Sequence, residues 1–297
     1  MFGPIEFILA GVLVGFCVGI TGVGGGSLMT PILISLFRIE PHIAIGTDLL
    51  YAAISKFCGS MVHAKKLNIV WPIVIWLAIG SIPASFITHW VAEVYLSQST
   101  HYKVVLTTVL GFMLTLTGIS IIFRPQIEKF FSRFNKTKLA VQNTNIQLNT
   151  KSKVYVALMG IILGIFVTLS SVGAGAFGVM ALILMFPNLP MIRIIGSDVV
   201  HAVLLTAVAG MAYMSSGKVD FHLLGWLLVG SIPAIIIGTL ISSRLPEKMI
   251  RRVLGITLFA LGLNFIITPV KNKAPEKVES ANVIQIDKSS ASPLTNS

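Results

Sequence analysis

Four ionisable side chains interrupt otherwise apolar stretches of the chain, and their types make them candidates for chemistry. They are Asp48, Lys56, Asp198 and His201. An ionisable side chain inside a lipid bilayer is costly, so it usually faces a cavity, an ion or an oppositely charged partner. The pattern favours a site for a charged solute.

Each aspartate follows a hydroxyl residue, and three interpretations stay open. Asp48 follows Thr47 and Asp198 follows Ser197, so each carboxylate can cap its own helix by accepting from backbone amides, which is slightly favoured. It can instead carry a coupling proton or sodium ion, or hold a neighbouring cation. The hydroxyl groups of Thr47 and Ser197 are further candidate donors to a substrate.

Lys56 follows Asp48 by eight positions, about two helical turns, so both side chains can face one cavity. The ammonium group can neutralise an anionic substrate or pair with either aspartate, and the sequence does not distinguish these roles. His201 lies three residues after Asp198 and can bond to that carboxylate. A structural histidine with a satisfied ring is the favoured interpretation.

Two glycine-rich breaks precede the aspartates. The first contains Gly22, Gly24, Gly25, Gly26 and Ser27, and the second contains Ser171, Gly173, Gly175, Ala176 and Gly178. Clustered glycines unwind a helix and expose backbone amides. Half-helices that begin near these breaks would aim their positive ends at them, which suits an anion. Close helix packing through small residues is the alternative.

The composition is that of a membrane protein. The chain has 297 residues, of which 55% are hydrophobic and 11% are charged, whereas soluble domains carry about a quarter charged residues. Apolar runs long enough to cross a bilayer recur along it. We predict an all-α polytopic membrane protein with eight spans near Ile5–Ile20, Ala44–Val62, Val70–Trp90, Val104–Phe123, Val154–Ser170, Gly196–Ser215, Phe221–Ile241 and Val253–Thr268.

The order of the motifs indicates an internal duplication. Gly80-Ser-Ile-Pro83 recurs as Gly230-Ser-Ile-Pro233, at the same offset that separates Asp48 from Asp198. The two glycine clusters are separated by one residue fewer than the two aspartates are. This difference predicts that one residue was gained or lost between the glycines and the aspartate of one half. We therefore predict two homologous halves, and the sequence leaves parallel and inverted symmetry open.

The segments after the breaks are too short to span. Leu28–Phe37 and Phe177–Phe186 are about ten residues each, roughly half of a bilayer core when helical, which favours re-entrant segments. The predicted domains are a first repeat at 1–123, a basic linker at 124–152, a second repeat at 153–269 and a disordered polar tail at 270–297.

The formal net charge of +11 belongs to loops rather than to a nucleic-acid-binding face. Basic residues crowd the central linker: Arg124, Lys129, Arg133, Lys136, Lys138, Lys151 and Lys153. The positive-inside rule therefore predicts a cytoplasmic linker. With eight spans, cytoplasmic segments hold 14 Lys and Arg residues and outer segments hold 7.

No motif for catalysis is recognisable. The glycine runs lack the lysine and the strand–helix context of a phosphate loop, and no His/Cys cluster suggests a metal. We therefore expect neither an enzyme nor a resident cofactor. Cys17 and Cys58 lie in apolar helical sequence, where a buried small side chain is the default.

At these motifs the chain resembles the TauE/SafE family of membrane permeases, the sulfite exporters. The resemblance rests on the first glycine cluster with Pro31, on Gly46-Thr-Asp48, and on their weaker copies in the second half. It implies a bacterial inner-membrane protein that moves small sulfur-containing anions such as sulfite or sulfoacetate. Ala174 and Ala176 interrupt the second cluster, so one site shared by both halves fits better than two.

The resulting hypothesis is a secondary transporter that exports a small sulfur-containing anion through a site between the halves. A coupling proton or sodium ion and assembly of several copies are left open. One alternative is a permease or channel for another solute such as a metal cation. Another is a membrane sensor without flux.

Overall fold

The computed structural model describes residues 3–21, 26–63, 69–97, 99, 101–134, 149–187, 189–241 and 247–268. Within these ranges the chain folds into ten α-helices and contains no β-strand. The helices are α1 (Pro4–Thr21), α2 (Gly26–Ser35), α3 (Pro41–His63), α4 (Trp71–Val91), α5 (Tyr102–Phe134), α6 (Thr150–Ser170), α7 (Ala176–Met185), α8 (Met191–Ser215), α9 (Phe221–Ile241) and α10 (Glu247–Ile267). One π-helical turn, Ala92–Leu96, continues α4.

Among the described residues, seven helices are long and apolar enough to cross a membrane, namely α1, α4, α5, α6, α8, α9 and α10. Helix α3 has 23 residues, which is also long enough to span. It is less apolar because it carries Asp48 and Lys56. The protein is therefore an all-α, multi-pass membrane protein.

The helices α3 and α8 begin earlier than predicted, at Pro41 and Met191 rather than near Ala44 and Gly196. Proline explains the difference: Pro41 opens α3 and Pro190 immediately precedes α8, and proline is favoured at helix starts, where an N–H is unpaired anyway. Both aspartates therefore lie in the third turn of their helices. The interpretation of each as a cap of its own helix was wrong.

Helices α2 and α7 have ten residues each. At 1.5 Å per residue each is about 15 Å long, half of the hydrocarbon thickness. Helix α2 packs on α3, and α7 packs on α8 and α5. The two short helices therefore lie against the two helices that carry the aspartates.

The interval between each short helix and the next helix is the same in both halves. Helix α2 begins at Gly26 and α3 at Pro41, while α7 begins at Ala176 and α8 at Met191. We predicted that the halves differ by one residue between the glycine cluster and the aspartate, and this predicted position of the difference is wrong. It lies before the short helices, because α1 ends at Thr21 and α6 at Ser170, and the first gap is the shorter by a single residue.

The helices pack in long pairs around a central contact of α3 with α8. Helix α1 runs along α9, α4 runs along α6, and α5 runs along α10. Glycines bring these pairs into backbone contact: a Cβ on Gly15 would lie 2.6 Å from the Ser231 carbonyl oxygen. Gly80 and Gly230, from the repeated Gly-Ser-Ile-Pro motif, lie in the α4–α6 and α9–α1 contacts. Small residues thus allow the close approach that helices use in membranes.

Ion pairs join the loops at one end of the bundle, where α5 begins. The Lys103 ammonium lies 2.8 Å from a Glu40 oxygen, and Lys218 pairs with Glu93. The hydrogen bond from Lys103 holds the pKa of the Glu40 carboxyl below its usual value. The Lys218 nitrogen also lies 5.1 Å from the centre of the Tyr102 ring. These contacts tie together segments that are distant in the sequence.

Candidate functional site

The break between α6 and α7 depends on backbone conformations that glycine favours. Ser171 has φ of +58°, and Gly173 and Gly175 have φ of +110° and +132°. The two glycine conformations are ones that L side chains rarely adopt. The chain closes the break with a hydrogen bond of 3.1 Å from the Gly178 amide to the Gly173 carbonyl oxygen. This break is therefore specified by its glycines.

The start of α7 presents unpaired backbone amides. Among the described residues, the N–H groups of Gly175, Ala176 and Phe177 donate to no acceptor. The first amides of every helix lack intrahelical partners, and the helix dipole adds positive potential there. Such an end accommodates an anion. The corresponding first break lies partly outside the described residues, including Gly24 and Gly25, while Gly26 and Ser27 begin α2.

Lys56 reaches this break from α3. Its ammonium donates to the Ala174 carbonyl oxygen across 2.6 Å, and the residue is 7% exposed. Asp198 and, more weakly, Asp48 act on it electrostatically. Within the described part of the chain neither carboxylate is close enough to form an ion pair with it. A buried cation and the unpaired amides thus meet at one place.

Asp48 joins α3 to α2. One of its oxygens, Oδ2, accepts from the Thr30 amide at 3.2 Å and from the Thr30 hydroxyl. The Ser171 hydroxyl lies near the same carboxylate without completing a hydrogen bond. Thr30 was not among the predicted residues, although a hydroxyl residue directly before Pro31 in an apolar segment was a usable signal. Asp48 is therefore held by the short helix of its own half.

Asp198 occupies the matching position on α8 but has different neighbours. It is 1% exposed, and neither of its oxygens has a hydrogen-bond partner among the described residues. Its Oδ1 atom packs against Gly178 of α7, closer than van der Waals contact distance to the position that a Cβ on this glycine would take. Gly178 is therefore needed for contact between α7 and the carboxylate.

His201 bonds to another helix rather than to Asp198. Its Nε2 atom lies 2.8 Å from the Ser81 hydroxyl oxygen of α4. This contact agrees with the favoured interpretation of a structural histidine. His89 is buried against Tyr213, and its Nε2 atom lies 2.8 Å from the Ser216 hydroxyl oxygen. The His89 ring therefore contacts an aromatic ring and a hydroxyl group of another helix end rather than water.

The predicted hydroxyl donors hold the starts of other helices. Thr47 accepts from the Asp220 amide at 3.0 Å, just before α9. Ser197 accepts from the Val70 amide at 2.8 Å, just before α4, and donates to the Arg193 carbonyl oxygen. These hydroxyls therefore connect α3 to α9 and α8 to α4.

A polar stripe on α3 extends the site beyond the predicted residues. Asp48, Tyr51 and Ser55 are spaced three and four residues apart, so they share one helical face. All three are buried, and the hydroxyls of Tyr51, Ser55 and Ser231 lie near one another without completing a hydrogen bond within the described ranges. Buried polar groups are normally bonded, so this face is suited to a polar solute. No group of three His, Cys, Asp or Glu in the described residues could hold a metal ion.

Comparison with known proteins gives one family and several relatives. The model of the family described as sulfite exporter TauE/SafE matches residues 7–265. A probable membrane transporter of Bacillus subtilis, YjnA, is 35% identical over 88% of this chain and 99% of its own length. A second from the same organism, YdhB, is 25% identical over 86% and 97%. A probable membrane transporter protein of Xylella fastidiosa is 24% identical over 86% and 92%. No solved structure matches the chain.

Proposed function

Because the chain belongs to the TauE/SafE sulfite exporter family, we propose that it is a secondary transporter that exports a small sulfur-containing anion such as sulfite or an organosulfonate. The relatives are named as probable membrane transporters, which supports transport in general. The observation that carries the anion is the contact between Lys56 and Ala174 beside the unpaired amides of α7. A buried ammonium and a helix N-terminus both favour negative charge.

The site lies between two homologous halves of opposite orientation, each with one short helix. The predicted re-entrant form does not fit, because α3 runs antiparallel to α8 and α5 runs antiparallel to α10. Two features of the fold support this proposal. The interval from the start of α2 to that of α3 equals the interval from α7 to α8, and α1 packs on α9 as α6 packs on α4. Broken helices at corresponding positions of two halves commonly form a substrate site near the middle of the membrane.

The amides of both breaks would bind the anion: those of Gly24, Gly25, Gly26 and Ser27 in the first, and of Gly173, Gly175 and Ala176 in the second. Lys56 would supply the positive charge. Thr47, Ser197 and His201 would act through the helix contacts that they make. Asp48 and Asp198 would fix the short helices or carry a coupling proton or sodium ion.

The proposed location is the inner membrane of a bacterium, with the basic linker at 124–152 in the cytoplasm. The basic residues of that linker support this orientation through the positive-inside rule. The substrate would then leave the cell at the end of the bundle where Lys103 pairs with Glu40.

Sulfite flux in proteoliposomes tests the function. The purified protein is reconstituted, sulfite is loaded inside, and efflux is followed for wild type, Gly25→Val and a Gly225→Ala control. Gly225 has open space around its Cα, so its substitution adds a methyl group without filling the site. We expect efflux from wild type and the control, with a loss in Gly25→Val. Equal efflux in all three would contradict the site, and no sulfite efflux from folded protein would contradict the substrate.

One observation favours a second candidate, a permease for a metal cation. Both oxygens of Asp198 lack partners among the described residues, and a free buried carboxylate attracts cations. Competition decides between the two substrates. Inhibition of sulfite efflux by organosulfonates but not by divalent cations supports the anion, and the reverse pattern supports the cation.

A further inference from the structure

The two aspartates occupy equivalent positions but have unequal surroundings. Each is the eighth residue of its helix, in α3 and α8. The residue of α2 that holds Asp48 is Thr30, the fifth of its helix, and the fifth residue of α7 is Met180. Methionine has no hydrogen to donate. Asp48 therefore receives two hydrogen bonds from its short helix, whereas Asp198 receives none from α7.

Lys56 is the main charged partner of Asp198 among the groups that face it from neighbouring helices. Helix α8 packs against α3, α4, α6 and α7. Helix α3 contributes Lys56, α4 contributes Ser81, which binds His201, and α7 has no ionisable side chain. The charged residues of α6, Lys151 and Lys153, lie in its first turn, at the opposite end from the break. Arg124 of α5 acts on Asp198 more weakly than Lys56 does.

Charge balance links these two residues to an anion. When Asp198 is ionised, its charge offsets that of Lys56. An anion bound beside Lys56 and α7 adds an uncompensated negative charge in a region of low dielectric constant, which is unfavourable. One proton on Asp198 removes that charge. Protonation of Asp48 is less favourable, because the amide and hydroxyl of Thr30 donate to its carboxylate and stabilise the charged form.

We propose that Asp198 is the proton-binding residue of the site, taking up one proton for each anion that binds, and that Asp48 is a fixed connection between α3 and α2. The proton comes from water on the side from which the anion enters, forms an O–H bond with a carboxylate oxygen of Asp198, and returns to water when the anion leaves. A proton fits better than a metal ion, since hard cations need several oxygen ligands and Oδ1 faces a glycine.

The link between proton and anion rests on the proposed function, but the choice of Asp198 over Asp48 does not. Infrared spectroscopy of the purified full-length protein without substrate tests that choice. At pH values where exposed carboxyl groups are still ionised, we expect a protonated-carboxyl C=O band that grows as the pH falls, is missing in Asp198→Asn and persists in Asp48→Asn. Asparagine keeps an acceptor oxygen for Thr30, which makes the second variant a matched control. A band that survives in Asp198→Asn, or no band at all, overturns the proposal.

Calorimetric titration with sulfite, in two buffers that differ in heat of ionisation, tests the link. The difference between wild type and Asp198→Asn cancels protons that belong to sulfite itself. We expect wild type to take up about one more proton per bound anion than the variant, in keeping with charge compensation. Equal uptake overturns the link while leaving anion binding intact. No sulfite binding by folded wild type overturns the proposed substrate, and the infrared result then still decides whether Asp198 is the proton site.

Discussion

The Lys56 ammonium of α3 donates a hydrogen bond to the Ala174 carbonyl oxygen, 2.6 Å away, in the break that precedes α7. This contact places the buried charge of one half of the chain on the backbone of the other. Carbonyl oxygens are weaker partners for an ammonium than anions are, because charge-assisted bonds between two ions are the stronger ones. An arriving anion can therefore replace Ala174 as the partner of Lys56.

Replacement of Lys56 by methionine should reduce sulfite transport. Loss of a charge-assisted contact is worth about 1.5–3 kcal/mol, which corresponds to at least a tenfold fall in kcat/KM. Lys56→Arg keeps the charge and should retain more activity than Lys56→Met. The measurement is initial efflux from proteoliposomes at several sulfite concentrations.

Lys103→Met is the control for this change. It removes the same functional group from a lysine that pairs with Glu40 at the end of the bundle. We expect Lys103→Met to keep kcat/KM within about threefold of wild type, since pairs on the surface contribute little. Normal transport by Lys56→Met would contradict the role of Lys56 in binding the anion.

Thr30→Val should destabilise the protein, because it removes the hydroxyl that donates to Asp48 while preserving the shape of the side chain. A hydrogen bond to a charged group contributes about 1.5–3 kcal/mol. Thr117→Val makes the same chemical change at a buried hydroxyl that has no partner among the described residues, so it should be neutral or stabilising. Thermal unfolding in detergent gives both melting temperatures, and equal shifts would contradict the connection between Thr30 and Asp48.

Gly178→Ala should lower the melting temperature, because its Cβ would overlap the Oδ1 atom of Asp198. Overpacking of a tight contact costs about 1–3 kcal/mol. The loss should largely disappear in an Asp198→Ala background, where no carboxylate oxygen remains. Gly225→Ala is the control: open space surrounds this residue of α9, and alanine favours a helix by about 1 kcal/mol relative to glycine. A loss at Gly178 that persists without Asp198 would place the clash elsewhere.

Apolar length and local motifs predicted the all-α, multi-pass fold and the ionisable residues that lie inside it. Runs of apolar residues located a helix at each predicted span, and Asp48, Lys56, Asp198 and His201 are all buried. Contacts between distant helices could not be predicted. Nothing local pairs Ser81 with His201 or Thr30 with Asp48, because these bonds depend on how helices pack. Helix starts were misplaced at Pro41 and Met191, since hydropathy does not register the preference of proline for a first turn.

The proposed orientation predicts which residues can be labelled from outside the cell. This prediction requires that α5 crosses the whole membrane. Helix α5 begins at Tyr102 and ends at Phe134, and α6 begins at Thr150, so His101 and Lys151 lie at opposite ends of α5. With Cys17 and Cys58 replaced by alanine, His101→Cys should react with a membrane-impermeant maleimide on intact cells. Lys151→Cys should react only after the cells are opened, since the proposed orientation places the basic linker in the cytoplasm.

The two cysteine variants control for one another, since each must be labelled in opened cells to show that it is accessible. Labelling of Lys151→Cys alone on intact cells would invert the orientation and with it the direction in which the substrate leaves. Labelling of both positions from outside would contradict the crossing itself. In that case the pairing of α5 with α10 would have to form outside the bilayer. The predominantly apolar 23-residue segment from Tyr102 to Arg124 would then be left without the lipid environment that its composition requires.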